Sequence, residues 1–225
     1  MIILGLTGSI AMGKSTAATM FRRRRVPVHD ADRTVHRLLG FKGGAVEAVE
    51  AAFPGVVTQD RVDHSALAAL VFNDANALSR LETILHPLVE ADQKRFLRRC
   101  RLQGHLLVVL DIPLLYETGM DTKCDAVAVV TAPHFVQLQR LLQRPDMHRA
   151  RIEAVLSRQM SDAEKRAHAD FIIPSGLGRA YTYRTIVQII DSLQRQSRVR
   201  QTGTRAFLRQ HPHRIYRHRR CSCVK

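Results

Sequence analysis

The chain has 225 residues, 45% of them hydrophobic, and a formal charge of +15 at pH 7; it is long enough to bury a full α/β core. No run approaches the roughly 18 apolar residues of a membrane-spanning helix, and no basic leader or cleavage site precedes the first apolar run, so neither a membrane partner nor export is expected. Cys100, Cys124, Cys221 and Cys223 have no metal-type spacing, since Cys221-Ser-Cys223 lacks the second residue of C-x-x-C; reduced thiols in a cytoplasmic protein are expected.

Taken in chain order, Ile2–Thr7 is a short apolar run that predicts a buried strand. Gly8-Ser9-Ile10-Ala11-Met12-Gly13-Lys14-Ser15 follows and fits G-x-x-x-x-G-K-[ST]. That spacing has a mechanical purpose. Its backbone N–H groups cradle phosphate, the Lys reaches the β/γ oxygens and the Ser hydroxyl ligates Mg²⁺. Lys14–Phe21 predicts a helix whose N-terminus, through Thr16, faces those phosphates. Gly8 to Thr16 is therefore the expected ATP-binding segment.

Val26–Asp30 predicts a second strand, ending in a carboxylate. A long, mostly helical stretch is expected from about Arg33 to Gln103, with segments at Ala45–Phe53, Ser65–Phe72, Asn76–Leu85 and Leu88–Leu102. Pro54-Gly55 and His86-Pro87 are read as breaks between helices. Leu106–Asp111, Cys124–Thr131 and Ala169–Ile173 predict further strands, separated by helical patterns at Phe135–Leu142 and Arg149–Met160 and followed by one at Tyr181–Leu193. Strands alternating with helices imply a parallel sheet covered on both faces. From Arg195 to Lys225 ten basic residues occur with no acidic one, which reads as a solvated or disordered tail from about residue 197. With only Phe207 and Tyr216 as aromatics there, base-stacking contact with nucleic acid is not indicated.

Ligands of open parallel sheets bind at the carboxyl ends of strands. Asp30 and Asp32 follow the second strand and Asp111 ends the third. Phosphoryl transfer to a hydroxyl needs a carboxylate to take its proton, and Asp30 is the candidate. Asp111 is the candidate to hold Mg²⁺ or its water. Each of these carboxylates could instead cap a helix or pair with an arginine. Arg140 and Arg144 lie four apart, on one face of a helix, and suit the charge of a transferring phosphoryl group. Arg149, Arg151 and Arg158 with Pro145-Asp146 suggest a lid over about residues 140–165.

An ordered series of segments is similar to the dephospho-coenzyme A kinase family of P-loop kinases. It comprises Gly5–Ser15, Asp30-Ala31-Asp32, Val62-Asp63 with Val71-Phe72, Leu81-Glu82, His86-Pro87 with Val89, and Asp111–Glu117. Gln139–Leu141, Arg144, Arg151-Ile152, Gln159, Lys165 and Ala169-Asp170 continue it. The resemblance implies a three-layer α/β/α P-loop kinase over residues 1–196. A five-stranded parallel sheet, a helical substrate lobe at about 33–103 and a lid belong to that picture. The implied reaction is ATP-dependent phosphorylation of the ribose 3′-hydroxyl of dephospho-CoA, with Mg²⁺, in a monomer or small homo-oligomer. In it Asp30 is the base, Lys14 and Arg140 act on the phosphates, Arg144 contacts ATP, Asp32 and His86 seat the acceptor, and Ser15 and Asp111 serve the metal. A nucleoside or nucleotide kinase of the same fold, and a nucleic-acid-associated ATPase using the tail, are the alternatives.

The chain also departs from the family pattern. Ser9 and Ala11 stand where glycine is usual, His64 where arginine is, and Pro174 where asparagine is. If the loop needs positive φ at Ala11, the side chain costs roughly 1 kcal/mol.

Overall fold

Ile2–Thr7 forms β1, the central strand of a five-stranded parallel sheet with the order β2-β5-β1-β6-β7. The structure, a computed structural model, describes residues 1–72, 74–144, 152–153, 156–157 and 159–201. The other strands are β2 (Val28–Asp30), β5 (Leu107–Asp111), β6 (Ala126–Thr131) and β7 (Phe171–Pro174). β1 pairs with β5 in the register Ile2↔Leu107 to Leu6↔Asp111, and with β6 from Leu4↔Ala126 to Thr7↔Val129. Every residue of β5 is buried, as a strand with neighbours on both edges and both faces requires. The helices α1 (Lys14–Arg23), α2 (Ala31–Leu39), α3 (Val46–Ala52), α4 (His64–Val71), α5 (Ala75–Leu102), α6 (His134–Leu142), α7 (Asp162–His168) and α8 (Arg179–Gln201) connect or follow the strands.

The chain divides into two compact units, one of residues 1–28 with the chain from Gly104 on, the other His29–Gln103. In the first, strand periodicity sorts the core into two faces. Ile2, Leu4, Leu6, Ala128 and Val130 pack with Phe21 of α1 and with Ile186, Ile190 and Leu193 of α8, while Val127 and Val129 turn to Leu115. Gly5 has no room for a side chain, because a Cβ would lie 2.6 Å from Leu115 Cδ1. The last helix extends beyond Leu193 to Gln201, so residues 197–201, expected as the start of a tail, are helical and Ser197 is buried. The remainder of that tail, with Cys221 and Cys223, lies outside the described residues. Cys100 and Cys124 are free thiols, and burial pushes Cys124 up to about 12.

In the second unit Leu39, Val49, Phe53, Val62, Leu67, Leu81 and Leu85 form the core. One expectation is corrected there. His86-Pro87 does not separate helices: Pro87 sits inside the 28-residue α5, with His86 and Pro87 both exposed. The carbonyl that loses its backbone donor is on the wet side, while Leu81, Leu85 and Leu88 keep the apolar stripe continuous across it. The stretch is mostly helical, as expected, with two short strands inside it. Val57–Thr58 (β3) and Arg61–Val62 (β4) form a small antiparallel hairpin, turned by Gln59 and Asp60 at φ 52° and 57°. That is a type I′ geometry written without the Asn-Gly or Asp-Gly that announces it. Helix starts are well signed, with Asp63 and Asp74 each accepting two backbone N–H bonds at the heads of α4 and α5.

A charged knot ties α2 to α5. His29 Nε2 lies 3.0 Å from Asp92 Oδ2, Arg37 Nη2 donates to Asp92 Oδ1 at 2.6 Å, and Thr34 Oγ1 donates to Oδ2 at 3.2 Å. Burial pushes the Asp92 carboxyl up, but the hydrogen bonds and charges of Arg37 and His29 outweigh it and hold it below its ordinary value. Asp92→Ala is expected to destabilise the protein by about 2 kcal/mol in urea unfolding at pH 7, since His29 stays buried without its partner. Because the folded carboxyl is the stronger acid, its contribution is fully present above the unfolded pKa of about 4 and fades as pH falls through the folded value. The difference between wild type and Asp92→Ala should shrink below about pH 4.

Candidate active site

The loop between β1 and α1 is fixed by what its carbonyls touch. Gln137 Nε2 donates to Ile10 O at 2.9 Å, Arg140 Nη1 to Ala11 O at 3.2 Å, and Ser175 Oγ to Met12 O at 2.5 Å. Three consecutive carbonyls are thereby held by side chains of α6 and of the segment after β7. Ile10 N–H donates to Gln159 Oε1 at 3.1 Å, and Met12 N–H to Ser9 O at 3.1 Å. Gly8 leaves no space for a Cβ, which would lie 2.6 Å from Val130 O. Gly13, at φ 92°, is crowded as well, its Cβ position being 3.1 Å from Ser175 Oγ. Ala11 stands at φ 62°, so the left-handed conformation that its sequence position put in question is real. Ser9 is not in that region and carries no such cost. Lys14, Ser15 and Thr16 begin α1, whose N-terminus has no side-chain cap and whose first amide groups suit an anion.

Lys14 Nζ donates to Asp111 Oδ1 at 2.5 Å, and Asp111 is only 3% exposed at the end of β5. The P-loop lysine and the strand-end carboxylate thus lie together, as the position of Asp111 at a strand's carboxyl end allowed. The Ser15 hydroxyl, exposed at the head of α1, and the Asp111 carboxylate are hard oxygen donors of the kind Mg²⁺ takes, so these residues fit that ion.

Arg140 sits on α6 and spends three contacts on its surroundings, donating from Nη1 to Ala11 O and to Ser175 Oγ (3.0 Å), and from Nη2 to Ser175 O (2.9 Å). Arg144 lies past the end of α6 at Leu142 and is exposed. The expected helix face shared by these two arginines therefore does not extend to Arg144. Arg149, Arg151, Arg158 and Pro145-Asp146 fall outside the described residues. The end of the expected lid, 159–165, is tied down through Glu117, whose Oε1 accepts from Met160 N at 2.9 Å and meets buried Lys165 Nζ at 2.9 Å. Burial pushes Glu117 up, but the bonds from Lys165 and from backbone amides outweigh it and keep the carboxyl below its usual value.

Asp30, Asp32 and His86 belong to the second unit. Asp30 ends β2 and caps α2, Oδ1 accepting from Arg33 N–H at 3.0 Å, while Thr34 Oγ1 holds its carbonyl at 3.1 Å. The capping alternative is thus observed. The cap engages Oδ1. Asp32 in the first turn of α2 and His86 in α5 are exposed. His64 begins α4 and lies tilted against His36, with ring centroids 5.0 Å apart and ring planes at 50°. Pro174 ends β7, its carbonyl accepting from Thr182 Oγ1 at 2.8 Å.

Two residues were missed from sequence. Gln137 is buried and lies three positions before Arg140, a spacing that puts both on one helix face and could have been read. Ser175 has no such signal, because its partners are 35 and 163 positions away in sequence.

The loop conformation makes a stability prediction with opposite signs at two neighbouring positions. Ala11→Gly removes a left-handed side chain but adds unfolded-state entropy, for a net gain of about 0.5 kcal/mol. Gly13→Ala places a Cβ against Ser175 in a left-handed residue and should cost about 2 kcal/mol or more. Urea denaturation of the two variants beside wild type measures both.

Residues 2–177 match the family model described as dephospho-CoA kinase. A dephospho-CoA kinase of Paramagnetospirillum magneticum is 61% identical over 166 residues, covering 74% of this chain and 78% of that protein. One from Mesorhizobium japonicum is 53% identical over 196 residues, 87% of this chain and 98% of that one. Among solved structures, a Thermus thermophilus protein superposes with a TM-score of 0.75 at 32% identity, over 85% of this chain and 96% of that one. The dephospho-CoA kinase of Campylobacter jejuni gives 0.60 at 24% identity, with the same two coverages, and supports the fold. The site geometry and these matches agree, and the chain belongs to the dephospho-CoA kinase family.

Proposed function

We propose that this enzyme transfers the γ-phosphoryl group of ATP to the ribose 3′-hydroxyl of dephospho-CoA, giving CoA and ADP. The single observation that carries the reading is the pinned P-loop with Lys14 on Asp111, in a chain matching the kinase family over residues 2–177. In the reaction a bond forms between the acceptor oxygen and the γ-phosphorus, and the bond to the β,γ-bridging oxygen breaks. The loop from Gly8 to Thr16 and the head of α1 bind the triphosphate through the amides not already given to Gln159 and Ser9, with Lys14 Nζ leaving Asp111 for the β/γ oxygens. Arg140 stabilises charge on the moving phosphoryl group, and Arg144 adds positive charge for ATP. Asp30 takes the hydroxyl proton on its carboxylate, with Arg33 N–H on Oδ1 orienting it. Asp32 and His86 seat the acceptor.

Ser15 and Asp111 would hold Mg²⁺, which when bound neutralises charge between the β- and γ-phosphates. The same reading takes ATP and dephospho-CoA as the working partners and the cytoplasm as the location, in a monomer or small homo-oligomer. The free thiols Cys100 and Cys124 suit a reducing compartment. Among the described residues no helix is long and apolar enough to cross a membrane.

The test is ADP release from MgATP with dephospho-CoA, beside adenosine, AMP, DNA and RNA, with the product identified as CoA. Turnover that responds to a nucleoside or to nucleic acid and not to dephospho-CoA would overturn the reading. Lys14→Ala should abolish transfer while the protein still folds, with a lowered melting temperature because buried Asp111 loses its ammonium partner. Asp30→Asn keeps the shape and removes the base, so kcat should fall at least about 10²-fold, measured at saturating substrates.

A further inference from the structure

We infer that Ser175 is a positioning residue for phosphoryl transfer, acting through Arg140; the inference rests on the kinase reading. Its own place is fixed first. Ser175 N–H donates to Thr131 O at 2.8 Å, and next to it Gly176 lies so close to Pro133, at the head of α6, that a Cβ would fall 2.6 Å from Pro133 Cδ. The segment after β7 is therefore seated between the end of β6 and the start of the helix that carries Arg140.

The hydroxyl then has one possible polarity. Its single proton goes to Met12 O at 2.5 Å, so the oxygen meets Arg140 Nη1, 3.0 Å away, as an acceptor. The Ser175 carbonyl takes Nη2 at 2.9 Å, and the two acceptors of one residue grip adjacent nitrogens of the guanidinium. Ala11 O takes a second Nη1 hydrogen at 3.2 Å. A guanidinium has five N–H donors; these contacts use three, and among the described residues Nε–H and one Nη2–H remain for the oxygens of a bound phosphate. The plane in which they lie is set by Ser175. The same hydroxyl pins the carbonyl next to Gly13, whose lack of a side chain gives Ser175 its room.

The experiment is a double-mutant cycle read on two quantities, MgATP affinity by calorimetry and kcat for dephospho-CoA-dependent ADP release. Hydrogen bonds to a charged group are individually worth about tenfold or more in an equilibrium. Ser175→Ala should weaken MgATP binding about tenfold and lower kcat about tenfold, with melting showing the protein folded. Ser175→Thr keeps the hydroxyl and should stay within about threefold of wild type in both. In an Arg140→Lys background, where the planar fork is gone, Ser175→Ala should cost less than about twofold. Equal losses in both backgrounds would mean that Ser175 only props the loop, and would overturn the inference. Wild-type behaviour of Ser175→Ala would overturn it too. MgATP binding requires no acceptor, so a wrong acceptor assignment would appear as absent turnover with the binding cycle intact.

Discussion

A phosphate-binding loop works only if its amides face inward, and a peptide unit cannot turn its N–H one way without sending its C=O the other. In this protein the outward carbonyls of Ile10, Ala11 and Met12 each find a different side-chain donor: an amide, a guanidinium and a hydroxyl. The rest of the first unit can be understood from that requirement. α6 must carry Gln137 and Arg140 on one face, β7 must end where Ser175 reaches Met12, and Gly13 must lack a side chain to admit it. The sheet supplies the rigid floor, because β1 delivers the loop from between two fully paired neighbours.

The ion pair between Lys14 and Asp111 has a complementary role. A cation and a carboxylate near the sheet each cost several kcal/mol to desolvate alone, and together they satisfy one another. The pair keeps the lysine extended toward the end of β5 instead of folded against solvent. Glu117 and Lys165 repeat the device further along the segment after β5, where a carboxylate holds both an ammonium and the Met160 amide. In each case the charge is buried beside the partner that makes its burial tolerable.

Much of this could be read from the residues. The glycine-lysine-serine spacing located the loop, buried runs located the strands to within two residues, and Asp30 and Asp111 were correctly placed at strand ends. Local chemistry was legible wherever it was local, as with the aspartates that start α4 and α5. What the sequence hid has two physical origins. Pro87 was misread as a break because a rule about backbone donors ignores which side of a helix is wet, and the hairpin at residues 57–62 was missed because its turn lacks glycine. Ser175 was invisible for a different reason. A serine gains its meaning from atoms brought beside it by the whole sheet, and no periodicity records that. The cost at Ala11 is conditional in the sequence, and only the φ of 62° in the folded loop removes the condition.

The last helix does more than its apolar stripe requires. Apolar periodicity ends at Leu193, yet Ser197 is buried and Arg200 Nη1 reaches Asp125 Oδ1 at 2.9 Å. The other oxygen of Asp125 accepts the amide of Ile3 at 2.9 Å, so the final turns of α8 clasp the first strand of the sheet. A boundary drawn at Leu193 would cut that clasp and strip Asp125 of its Arg200 partner. For anyone trimming the basic extension, the clasp survives only if the boundary lies beyond Arg200.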